Sequence, residues 1–125
     1  MPDKINDGYV IGIIRGKIIR IDVSTPISYT VQREFAREAI RLAQQNNLTR
    51  YLVDVTRVFN QASFAELYNF AYSDMKILDL DKTTRVAILT APDDISHNFI
   101  ETVFLNAGYN CQRFTEEAAA LDWLG

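Results

Sequence analysis

Arg50-Tyr-Leu-Val-Asp-Val-Thr56, followed after a polar turn by Ser63-Phe-Ala-Glu66, is the stretch on which the fold turns. The first part is an apolar run of strand length. The second is a capping box, in which the Ser63 hydroxyl accepts from the Glu66 amide and the Glu66 carboxylate reaches back to the Ser63 amide. The same strand, turn and capped-helix unit recurs downstream. Arg85-Val-Ala-Ile-Leu-Thr90 precedes Pro92-Asp-Asp94, and Asn110-Cys-Gln-Arg-Phe114 precedes Thr115-Glu-Glu117. Strands without a polar face must be covered on both sides, so their alternation with helices predicts a largely parallel α/β sheet.

Working upstream, Tyr9-Val-Ile-Gly-Ile-Ile14 and Lys17-Ile-Ile-Arg-Ile-Asp-Val23 flank Arg15-Gly16, a spacing that predicts a tight antiparallel hairpin. Ser24-Thr-Pro-Ile-Ser28 breaks the pattern. Val31, Phe35, Ala39, Leu42 and Ala43 then recur at helical spacing until Asn46-Asn47. The second helix, opening at Ser63, runs to about Met75. A third is capped by Asp93 or Asp94, turns Ile95, Phe99 and Val103 inward and stops at Gly108, while a short fourth carries Leu121, Trp123 and Leu124. The expectation is a β-β-α-β-α-β-α-β-α order, with a mostly parallel five-stranded sheet and an antiparallel amino-terminal hairpin strand.

The 125 residues make one ordinary domain, read as residues 1–125, large enough to bury roughly two-thirds of its unfolded surface. A net charge of −3 and a pI near 5.1 leave no electrostatic footprint for nucleic acid. Cys111 has no second cysteine to pair with, which suits a reducing compartment. Met1-Pro-Asp-Lys-Ile-Asn-Asp7 lacks a cationic region followed by an apolar one, and no apolar run reaches spanning length, so the reading is a soluble cytoplasmic protein without membrane insertion.

The element order resembles the STAS domain of bacterial anti-sigma-factor antagonists. The likeness sharpens toward the carboxyl end, where Ile100-Glu-Thr-Val-Phe-Leu-Asn-Ala-Gly108 and Arg113-Phe-Thr-Glu-Glu-Ala-Ala-Ala-Leu-Asp-Trp-Leu124 resemble the small bacterial STAS-like proteins, also compared with the CRAL-TRIO lipid-binding lobe. The resemblance implies a regulatory module that binds proteins. In phospho-regulated STAS proteins the strand after the first helix ends in an Asp-Ser-Ser-Gly-Leu-Gly-type turn. Here the stretch Asp54-Val-Thr-Arg-Val-Phe-Asn-Gln-Ala-Ser63 is longer and lacks the glycine.

Parallel sheets bind ligands where strands end and helices begin. Asp93, Asp94, Glu116 and Glu117 already place acids at the openings of the last two helices, whereas the first two are read as having none, with Arg33 and Arg57 nearby. Thr30, Asp54, Thr56, Arg57 and Ser63 are therefore the candidate anion or phospho-switch residues, set against a reading in which Ser63 only caps, Arg57 is only solvated and Asp54 only bonds turn amides.

The second helix carries two apolar lines, Phe64, Tyr68 and Tyr72 on one and Leu67, Ala71 and Met75 on the other, and Phe59 and Phe70 add to the surplus. Three readings stay open. The surplus is a dimer or partner contact, a face buried beneath the Phe59 to Gln61 turn, or a groove for a lipid or other small apolar ligand bounded by Phe59, Phe64, Tyr68 and Tyr72. The only histidine, His97, is the one centre for imidazole catalysis, with Ser63 or Cys111 as nucleophile, but no Gly-x-Ser-x-Gly elbow is present and Cys111 falls inside a strand. One His and one Cys do not complete the usual nitrogen and sulfur metal set, so neither metal nor cofactor is expected. Arg33, Arg37 and Arg41 form a line interleaved with Glu34 and Glu38, a pattern of solvated helix surface. The reading as a whole is a non-enzymatic regulatory or interaction module working through helix two and its preceding turn.

Overall fold

The computed structural model describes residues 4–6 and 8–125. The reading of the Met1 to Asp7 terminus falls partly outside these residues. Strands β1 (Lys4–Asn6), β2 (Tyr9–Ile14) and β3 (Ile18–Val23) form an antiparallel meander, and β4 (Arg50–Asp54), β5 (Arg85–Leu89) and β6 (Asn110–Phe114) continue it in parallel. The sheet order is β1-β2-β3-β4-β5-β6. The five expected strands are all present, and the short edge strand β1 is an addition that the sequence reading did not include. The β2–β3 hairpin turns at Arg15 (φ 53°) and Gly16 (φ 67°), both left-handed, with the Lys17 amide bonded back to the Ile14 carbonyl, so the connection takes three residues and β3 starts one later than expected.

A strictly sequential parallel order with right-handed crossovers places every crossover helix on the same face. Helix α1 (Tyr29–Asn46), α2 (Phe64–Asn69) with its extension, and α4 (Asn98–Asn106) accordingly share one core with Ile19, Ile21, Tyr51, Val86 and Ile88. The final helix α5 (Glu117–Leu124) has no further strand to return to and covers the opposite face, where Ala120 and Leu124 pack on Ile18, Leu52, Ala87 and Leu89. This covering on both sides is why β4 and β5 lack a polar face.

Helix α2 is continued by a π-helical segment, Phe70–Asp74, and a last turn, α3 (Met75–Ile77). Successive i, i+4 steps in a straight α-helix drift by about 40°, so Met75 would leave the line of Leu67 and Ala71. The wider π turn, closed by the Met75 amide on the Phe70 carbonyl, absorbs one residue and returns Met75 to the inside. Leu67, Ala71 and Met75 are 1–2% exposed, and burying the larger two stabilises the fold by about 1.5–3 kcal/mol each. Phe70, three residues after Leu67 and on the same side of the helix, also turns inward and stacks on Phe104, so it does not belong to the surface surplus expected from the sequence.

Helix α4 begins later than expected. Its N-cap position is His97, and Asp94 instead accepts from the Ser96 amide in the preceding turn. Ile95 therefore precedes the helix and points to solvent, while Phe99 and Val103 face the core as expected. Gly108 (φ 93°) ends the helix, with the Tyr109 amide bonded back to the Phe104 carbonyl. No helix among the described residues is long and apolar enough to cross a membrane.

Candidate functional site

The outward line of α2 stays open to solvent. Phe59 is 65%, Phe64 72%, Tyr68 55% and Tyr72 38% exposed. Tyr68 and Tyr72 stack with ring centroids 4.4 Å apart, and Phe64 lies 4.6 Å from the ring of Phe99 on α4. Ile95, in the turn before α4, is also exposed. None of these rings is covered by the Phe59 to Gln61 turn.

The turn that carries Phe59 is tied down on both sides. The Phe59 carbonyl accepts from the Ile27 amide and the Gln61 amide donates to the Ile27 carbonyl. The Asn60 amide donates to Ser96 Oγ at 2.9 Å, and its side chain closes locally on Ala62. His97, 3% exposed, donates Nε2–H to the Val58 carbonyl at 3.0 Å, with Asp94 Oδ2 3.3 Å from the same nitrogen. The Phe59 ring is thus presented by a braced backbone, which reduces the entropy lost when such a surface docks.

This bracing is also what the only histidine does in the fold. No hydrogen bond among the described residues joins His97 to Ser63 or Cys111. The Ser63 hydroxyl accepts from the Glu66 amide, and burial pushes the Cys111 thiol far above its usual range. A nucleophile needs its base within hydrogen-bond reach, and neither candidate has one here.

The anion candidates are dispersed by their own partners. The capping box forms as the sequence predicts, with Glu66 Oε1 2.8 Å from the Ser63 amide. That carboxylate places an acid in the first turn of α2, contrary to the expectation that the opening is free of one, and it occupies the amide an external anion would take. Helix α1 does lack an acid in its first turn, and its cap is Ser28, with Thr30 exposed beside it. Thr56 donates both its amide and its hydroxyl to Asp54 Oδ1, at 3.0 and 2.7 Å, while Arg57 is exposed.

Asp54 has a partner that the sequence reading missed. In the parallel register Asp22 of β3 lies directly opposite Asp54 of β4. Arg20 bridges them, with Nε 3.0 Å from Asp22, Nη2 3.0 Å from Asp54 and Nη1 2.9 Å from Glu117 of α5. Burial opposes the guanidinium's charge, but the hydrogen bonds to Glu117 and Asp22 outweigh it and raise its pKa. The signal was present in the alternation of Arg20 and Asp22 along β3.

Across α1, Tyr29 donates to Asp74 Oδ2 at 2.6 Å and accepts from Asn69 Nδ2, while Arg33 stands 3.5 Å from the same Asp74 oxygen. The buried Asp74 of the π segment is thereby satisfied, and α1 is fastened to the helix that carries the aromatic line. Arg33, Arg37 and Arg41 are all exposed.

No protein-family model matches the sequence, and no curated protein does. Solved structures do. An uncharacterised protein of the DUF3478 family with a SpoIIAA-like fold, from Shewanella loihica PV-4, superposes with a TM-score of 0.61 at 19% identity, over 98% of each chain. The phosphorylated form of the Bacillus cell fate determinant SpoIIAA superposes with a TM-score of 0.56 at 16% identity, over 94% of this chain and 99% of that one. The fold is STAS-like. At these identities the likeness concerns the STAS-like backbone, and the aromatic face has to be argued from its own residues.

Proposed function

We propose that this chain is a STAS-like, non-enzymatic regulatory or interaction module that binds a protein partner through helix α2 and the turn before it. The observation that carries the reading is the set of four exposed rings, Phe59 in the turn and Phe64, Tyr68 and Tyr72 on the helix it leads into, whose other line is fully buried. A contiguous apolar face of this kind is uncommon on a protein that works alone, and aromatic residues are enriched where partners dock. Support also comes from the bracing of the 58–61 turn and the fastening of α1 to Asp74, which hold the face in one arrangement before any partner arrives. A regulatory role is the ordinary use of the STAS-like fold and is carried over here as part of the proposal.

Affinity capture with the wild-type chain and with Tyr68→Asp, compared protein by protein, tests the reading. A partner retained by the wild type and lost with the variant supports it, while equal capture by both contradicts it.

A further inference from the structure

The core beneath α1 contains a cavity of about 80 Å³. Phe35, Tyr51, Val86, Ile88 and Phe104 line it, and the wall is otherwise almost wholly apolar. One exception is Gln32, the first buried residue of α1, whose other buried residues, Phe35, Ala36, Ala39, Ile40 and Ala43, are all apolar. Gln32 is 8% exposed, lines the cavity, and its Oε1 has no hydrogen-bond partner among the described residues. A buried amide oxygen left without a donor keeps its desolvation penalty, which an occupant with a donor would relieve.

Water answers this need poorly. A buried water ordinarily makes about three hydrogen bonds; of the other polar side chains on this wall, His97 already has its Nε2 on the Val58 carbonyl and Tyr51 offers a single hydroxyl. An apolar molecule with a single donor fits both the wall and the oxygen. An engineered cavity of about 150 Å³ accommodates benzene, so a space of about 80 Å³ suits an occupant of about three non-hydrogen atoms. An outer cleft of about 360 Å³, lined by Gln44, Asn47, Asp79 and Asp81, shares Ile40, Tyr51 and Leu80 with the inner cavity, so these three side chains form the wall between the two.

From this we infer that the chain has an internal binding site for a small, neutral, largely apolar molecule carrying one hydrogen-bond donor, such as a short-chain alcohol, with Gln32 Oε1 as the acceptor. The site is separate from the α2 surface, since none of Phe59, Phe64, Tyr68 or Tyr72 lines it. It stands or falls independently of the partner reading.

Methyl-resolved NMR of Ala36, Ala39 and Ile88 during titration with ethanol and with its donor-free isomer dimethyl ether tests the site. The expected result is a saturable shift in which ethanol binds about tenfold more tightly than the ether, the ratio that one hydrogen bond to a buried acceptor supplies. Gln32→Leu abolishes the discrimination, and Ala36→Val, which narrows the cavity, weakens both probes while leaving Gln32 in place. Absence of saturable shifts in the wild type, equal affinities for the two isomers, or a long-lived water on Gln32 that ethanol does not displace would each overturn the inference.

Discussion

Tyr68 and Tyr72 stack on each other with ring centroids 4.4 Å apart across the junction where α2 passes into its π segment, and both remain open to solvent. A straight helix would let this outer line wander around the axis together with the inner one. The π turn cancels this shared drift, so Leu67, Ala71 and Met75 build the core while the tyrosines face out. Replacing either tyrosine should therefore leave the fold intact. Tyr68→Asp is expected to change unfolding free energy by no more than about 0.5 kcal/mol in urea titrations, the usual range for surface substitutions.

The inner line predicts the opposite. Leu67→Ala removes a side chain that is 1% exposed and should destabilise the protein by about 2–5 kcal/mol, whereas Phe64→Ala, at a position 72% exposed, should cost far less. Paired chemical unfolding curves check this. Similar losses from the two variants would mean that α2 is rotated from the orientation described.

The capping box at α2 is a local interaction with a local effect. Ser63→Ala should cost about 1 kcal/mol, because the Glu66 amide loses its acceptor, while Thr30→Ala on α1 should be nearly neutral because the cap there is Ser28. Thermal unfolding of the two variants gives the comparison.

Acid should loosen the turn that presents Phe59. Burial tends to raise the Asp94 pKa, but hydrogen bonds from Ser96 outweigh that tendency, and the carboxyl titrates below its ordinary value. A depressed folded-state pKa contributes stability above the unfolded value near 4, and that contribution is lost as pH falls through the folded value. Unfolding free energy should decline below about pH 4, and less steeply in Asp94→Asn. A variant profile parallel to the wild type would remove Asp94 from this account.

Arg20 joins two carboxylates that the strand register sets side by side. Arg20→Ala leaves Asp22 and Asp54 facing each other without their shared cation and should destabilise the protein by about 1–3 kcal/mol at neutral pH. Urea unfolding of Arg20→Ala beside Arg20→Ala/Asp22→Asn checks the cause, since removing one charge should recover part of the loss.

Elements whose signal is local were legible in the sequence. The Ser63–Glu66 box, the Arg15-Gly16 hairpin, the Gly108 stop and the two lines of α2 each depend on residues within one or two turns of one another. What escaped depends on tertiary placement. The π turn hides in a sequence that reads as ordinary helix, and Phe70, read there as part of the surplus, packs on Phe104. Asp94 carries the mark of a cap, yet its Ser96 and His97 contacts draw it into a turn and leave Ile95 outside. The Arg20 bridge arises from pairing strands about thirty residues apart, and the cavity at Gln32 from packing α1 over the sheet, so neither has a contiguous motif. Within the candidate surface, the aromatic residues were visible, but the hydrogen bonds that brace the 58–61 turn were not.

Site-specific photo-crosslinking tests the aromatic face most directly. With a benzophenone amino acid in place of Tyr72, irradiation of cells expressing the chain should give a discrete protein adduct that Phe59→Asp diminishes, and the same probe in place of the exposed Ala118 on α5 should not give it. Adducts of equal yield from both positions, or none from Tyr72, would contradict the account.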